Sequence, residues 1–228
     1  MEDSTTEKDG ATMDNNSKAL EQIFSHLNAK DDTSHFVGLS LLRSILDSSE
    51  FLRSDEQVIK KCWTAVPNKF LTRLLRPGST DEAASMNDLA VAVIHTFANL
   101  LPTADKKMYE LVEPMGKVVG RLRAATRMLA VQALGCIVST PAGAHVFARA
   151  GIHREIREGV QLDDLGFWRE WIRLYDVAYS MVHEEQHRQF LEGIFVEEFA
   201  RAKELDVLLD LWATMAPSLH VSTSVKRK

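Results

Sequence analysis

From Ala19 to Met215 the apolar residues recur three and four positions apart, and no stretch alternates in the two-residue period of a half-buried strand. That pattern restricts the chain to packed helices. Leu20, Ile23, Phe24 and Leu27 make one such face, and a second helix follows from Thr33 to about Asp47. Ser54, with Gln57 three residues on, reads as a capping box. Pro67 suits the first turn of "PNKFLTRLLR", and Pro77-Gly78 ends it. Leu89 to Leu101 is the next long helix. Pro114 divides Tyr109–Val119 into two pieces or kinks it. Ala124–Ser139 is strongly apolar, and "TPAGAHVFARAG" restarts at Pro141 and stops at Gly151. Three further helices are expected near 165–184, 187–201 and 203–216.

Three of these helices share a frame. Gly38-Leu39-Ser40-Leu41-Leu42 aligns with Ala90-Val91-Ala92-Val93-Ile94, and again with Ala130-Val131-Gln132-Ala133-Leu134. The offsets are 52 and 40 residues, close to the roughly 40–47 of HEAT and armadillo repeats, in which a small residue lets a neighbouring helix approach. The fold class expected is all-α, an armadillo/HEAT-like α-α superhelix. Its bounds are an acidic, disordered tail over 1–16, a single helical repeat domain over 17–217, and a frayed basic tail over 218–228.

Charge and composition narrow the function. A net charge of −5 offers no basic stripe to displace counterions from phosphates, so nucleic acid is not expected as a partner. No apolar run reaches the roughly 18 residues of a membrane span. The polar N-terminus has no signal-peptide core, and Cys62 and Cys136 sit in apolar helical patterns as two buried thiols. The compartment expected is the cytosol, with the nucleus left open.

"MVHEEQHRQF" contains His183-Glu184-x-x-His187, a zinc-protease pattern when it lies on a helix. Two imidazoles one turn apart could share a metal, with Glu204 as third ligand and Glu184 as general base. This zinc-dependent hydrolase is the competing reading. Against it, the apolar stripe runs through Trp168, Trp171, Ile172, Tyr175, Tyr179 and Val182. On a continuous helix His183 and His187 then fall roughly 80° and 120° away, toward solvent. Glu185 and Gln186 are polar where a catalytic zinc helix is apolar, and no strand is available to hold substrate. "EPMGKVVG" lacks the first glycine and the hydroxyl of a phosphate loop, so Gly116 and Gly120 are assigned to helix packing. Asp163-Asp164 suits a helix start, and Trp168 and Trp171 suit a core. No catalytic residue, metal ligand or cofactor is assigned.

Four segments carry a family likeness: "DDTSHFVGLSLLRSIL", "VPNKFLTRLLRP", "LAVAVIHTFANL" and "STPAGAHVFARAGI". Together they resemble the neurochondrin family over roughly residues 18 to 160. The resemblance implies an armadillo-like array without enzymatic activity, of a kind associated with intracellular signalling and with binding other proteins. Family members are typically several hundred residues longer, and the C-terminal third, including the histidine motif, departs from their pattern.

A protein-interaction scaffold is therefore the function expected, with partners held on the polar faces of the aligned helices. Those faces carry Arg43, Ser44 and Asp47, then His95, Thr96 and Asn99, then Gln132 and Ser139. Asn99 is similar to groove asparagines that bind a peptide backbone, because one amide both donates and accepts. Leu205, Leu208, Leu209, Trp212 and Met215 leave an apolar side on the last helix, from which weak self-association is expected.

Overall fold

The computed structural model describes residues 6–160 and 164–202. Thirteen α-helices and no strand occur among them. The chain divides into two compact units, residues 1–74 and 75–228.

The first unit holds α1 (Thr6–Leu27), α2 (Asp32–Ser48), α3 (Glu50–Ser54), α4 (Glu56–Ala65) and α5 (Asn68–Leu74). Leu20, Ile23 and Leu27 of α1 are buried, as are Leu39, Leu42 and Leu46 of α2, and the two helices pack together. The helix begins at Thr6, so it covers residues that composition assigns to the acidic tail. Asp31 caps α2, its carboxylate accepting from Ser34 N at 2.8 Å. The cap of α4 is Asp55 rather than Ser54. Its Oδ1 accepts from Gln57 N and Val58 N, whose positions in the first turn a cap at Ser54 could not serve equally.

The second unit holds α6 (Asp81–Leu100), α7 (Lys106–Tyr109), α8 (Val112–Val119), α9 (Ala124–Val138), α10 (Pro141–Ala150), α11 (His153–Gly159), α12 (Leu165–Met181) and α13 (Glu185–Ala202). Its helices form two rows. In one, α6 packs on α9 and α9 on α12; in the other, α8 packs on α10 and α10 on α13. The rows join through α8 on α9, α10 on α9 and α12, and α12 on α13. Ala90 and Ala130, aligned with Gly38 in sequence, are fully buried in α6 and α9, and Gly38 is buried in α2. Methyl-sized residues on such faces let helix axes approach closely.

Local chemistry sets the boundaries. Thr80 caps α6, accepting from Ala83 N, so the helix starts well before the apolar run at Leu89. Buried Asn87 secures that extra length by donating to Arg76 O at 3.3 Å and Ala83 O at 2.7 Å. The break near Pro114 falls at residues 110–111, ahead of the proline. Pro114 then lies in the first turn of α8, where a missing N–H costs nothing. Thr140 caps α10 with Pro141 at its first position, and Gly151 ends it at φ +62°, a left-handed conformation glycine adopts freely. Gly116 lies against Ile152 and Gly120 against Gly159, so the glycines of "EPMGKVVG" do serve close packing. Asp164 caps α12 as the acidic pair suggested. Trp168 and Trp171 are core residues, in a cluster with Phe147, His153, Phe167 and Tyr175. The helix expected at 203–216, with its apolar side, lies outside the described residues.

Candidate functional site

One row of the second unit, α6, α9 and α12, borders an open groove of about 680 Å³. Asn99 of α6 stands on one side. Val131, Gln132, Gly135, Cys136 and Ser139 of α9 run along it, and Glu170, Arg173, Leu174 and Val177 of α12 close the far side. The polar part of the lining consists of residues left over once each helix's apolar stripe is buried. In α9, Ala130, Ala133, Leu134 and Ile137 point into the core, so Gln132, Cys136 and Ser139 fall on the opposite side. In α12, Trp168, Trp171, Ile172 and Tyr175 are buried, which turns Glu170 and Arg173 outward.

Hydrogen bonds cross from helix to helix along the groove. His95 Nε2 meets Gln132 Oε1 at 3.1 Å, and the Cys136 thiol lies 3.6 Å from Asn99 Oδ1, which accepts from it. Asn99 Nδ2 donates to His95 O at 2.8 Å, back along its own helix. One amide hydrogen and one carbonyl lone pair of Asn99 remain for a ligand. On α12 the Arg173 guanidinium pairs with Glu170 at 3.1 Å, so both signs of charge stand at the same edge. Burial holds the His95 imidazole below its ordinary pKa, although the Gln132 bond opposes the shift. Burial also pushes the Cys136 thiol up, and Cys62 up to about 11, so neither is an activated nucleophile.

The residues expected to bind a partner are therefore only partly gathered here. Asn99, Gln132 and Ser139 line the groove and His95 flanks it through Gln132. Thr96 turns away: its hydroxyl donates to Ala92 O at 3.0 Å. The Ser139 hydroxyl likewise donates to Cys136 O at 2.6 Å. Arg43, Ser44 and Asp47 are exposed on α2 of the first unit, where Arg43 and Asp47 pair at 3.5 Å. Glu170 and Arg173 were not anticipated. The signal was present in two charged positions three apart on α12, but it needed the packing of α12 on α9 to acquire meaning.

The histidine motif is differently placed from the sequence expectation. Helix α12 ends at Met181, Val182 is extended, and α13 begins at Glu185. His183 is exposed in this link, so it and His187 do not share a helix face, and projecting both from one continuous helix misplaces them. His187 is largely covered rather than turned to solvent, and its neighbours are Glu184 and His145 of α10. Glu204 lies outside the described residues.

Among the described residues the protein is all-α, and its second unit carries an open groove of mixed polarity. The chain belongs to the neurochondrin family, whose family model matches residues 14–167. It is also 38% identical over 80 residues to an uncharacterized protein of Schizosaccharomyces pombe, a match covering 35% of this chain and 13% of that protein. The chain thus spans a small part of the curated relative it matches. No solved structure matches it.

Proposed function

We infer that the chain is a non-enzymatic protein-interaction module, an armadillo/HEAT-type superhelix that binds an extended segment of a partner protein in the groove of α6, α9 and α12. The observation that carries this reading is that Asn99, Gln132 and Ser139, singled out by sequence register alone, line one open groove. Half-buried Val177 offers apolar contact above buried Val131 and Leu174, while Asn99 and Gln132 offer amides to a peptide backbone. Glu170 and Arg173 would select for charge along the segment. On the first unit the corresponding face of α2, with Arg43, Ser44 and Asp47, is assigned the same role. Membership of the neurochondrin family is compatible with such a role, and a cytosolic location with a part in signalling is proposed with it.

The test is site-directed photocrosslinking in cells. A photoreactive phenylalanine analogue at Gln132 or at Arg173 is expected to capture the same protein. The same analogue at exposed Arg149 on α10 is expected not to capture it. Equal capture from all three positions would move the interface off the groove.

A further inference from the structure

Where α10 meets the start of α13, three side chains converge that no helix pattern would have grouped. His145 comes from α10, Glu184 from the link before α13, and His187 from the first turn of α13. The placement has a local cause. Glu184 O accepts from His187 N at 3.1 Å and Arg188 N at 3.0 Å, opening α13 and bringing the His187 ring beside the side chain of Glu184, three residues back. The packing of α10 on α13 supplies the third group.

The geometry is that of a divalent-metal ligand set before small adjustments. Glu184 reaches both rings, with Oε1 3.5 Å from His145 Nδ1 and Oε2 3.0 Å from His187 Nδ1. The imidazoles meet edge to face, centroids 4.3 Å apart at 71°. One ligand atom from each residue lies within 4.8 Å of the other two. Ligands about 2.1 Å from a tetrahedral ion are separated by about 3.4 Å, so side-chain movements of about 1 Å would suffice. A second observation points the same way. His187 Nδ1 is shielded from solvent and has no hydrogen-bond partner: the nearby carboxylate oxygen is out of line for one. A buried polar nitrogen without a partner is costly, and a metal would satisfy it.

We propose that His145, Glu184 and His187 bind a zinc-class divalent ion that staples α10 to the N-terminus of α13. Two imidazoles and one carboxylate are the borderline donor set of zinc and its neighbours, whereas calcium and magnesium demand more oxygens. The side-chain exposure of Glu184, 64%, leaves a further coordination position facing solvent, open to water or to a donor from another molecule. This ligand set is not the sequential motif, because His183 is outside it and His145 is inside it. The proposal is independent of the groove.

Calorimetric titration of the chelator-stripped full chain with Zn²⁺, repeated with Co²⁺ followed by visible absorption, tests it. One equivalent is expected to bind, with no comparable uptake of Mg²⁺ or Ca²⁺. His145→Ala, Glu184→Gln and His187→Ala should each weaken binding more than roughly tenfold, since even residues behind the direct ligands commonly cost that much. His183→Ala should leave it unchanged. Zinc should also raise Tm by several degrees in the parent and not in His187→Ala, because only the folded chain assembles the site. Circular dichroism of each variant separates lost ligation from lost folding. A metal retained by all three variants, or lost in His183→Ala but kept in His145→Ala, overturns the proposal. So does the absence of stoichiometric binding.

Discussion

Two glycines of adjacent helices should respond in opposite directions to the same added methyl group. Gly143 sits in the first turn of α10, against the end of α9. A Cβ there would lie 1.9 Å from Ile137 O and 3.0 Å from Thr140 Oγ1. Ordinary contact begins near 3.4 Å, so the α9–α10 corner would have to open by about 1.5 Å. What must yield is a backbone carbonyl, which has no rotamer to change. Overpacking of this kind costs about 1–3 kcal/mol. The movement also threatens the Thr140 cap, whose hydroxyl accepts from Gly143 N at 3.1 Å and is worth about 1 kcal/mol. Alanine's better helix propensity returns at most about 1 kcal/mol. Gly143→Ala should therefore lose about 2 kcal/mol, lowering Tm by about 4–8 °C. Gly135 of α9 is the control: a Cβ there meets nothing within 4 Å and its φ is not left-handed. Gly135→Ala should gain about 0.5–1 kcal/mol, a rise of about 1–4 °C. Thermal and urea unfolding followed by circular dichroism measure both. Shifts of the same sign, or a neutral Gly143→Ala, would refute the close packing of the α9–α10 corner.

Arg127 donates to Asp164 at 3.1 Å and to Leu122 O at 3.0 Å, with its guanidinium above the Phe167 ring, so it holds the capping residue of α12 against α9. Arg127→Ala should cost about 2 kcal/mol, with Arg127→Lys intermediate, both measured by urea unfolding. Burial lowers Lys107 to about 8 against the opposing pull of Asp105. The unfolded chain then binds more protons between pH 8 and 10.5, so this lysine's contribution to stability rises with pH across that window. The parent minus Lys107→Met difference in Tm should show that slope, and a flat difference would count against a buried ammonium. His95 is depressed as well, so its protonation opposes the fold as pH falls below its ordinary value of 6.5. His95→Gln should flatten the acid limb of the stability curve, and an unchanged limb would count against the burial of that ring.

The helices were legible because their punctuation is chemical. Thr140-Pro141 and Gly151 bound α10, and Asp164 starts α12, as their sequence signals indicate. Helix α11 was missed because His153–Gly159 is too short to display a period. The first turns of α6 were missed because "DEAASMND" is polar, and Asn87 holds that segment through bonds to carbonyls outside any pattern. The groove was half legible. Register gave Asn99, Gln132 and Ser139, while Glu170 and Arg173 required knowing that α12 packs beside α9. The metal-binding cluster was illegible, since His145 and Glu184 meet only through the packing of α10 on α13, and the motif's own spacing pointed to His183 instead.

The claim that the groove of α6, α9 and α12 holds a partner is tested most directly by an equilibrium binding measurement. The partner captured at Gln132 is titrated against the parent chain and against the double variant Gln132→Glu with Arg173→Glu. The two changes reverse or add charge at exposed positions of α9 and α12, and the Gln132 change also alters the contact with His95. The dissociation constant should rise at least tenfold, about 1.4 kcal/mol, with Tm within about 2 °C of the parent. An unchanged dissociation constant in the folded double variant would contradict the assignment of the groove as the binding face.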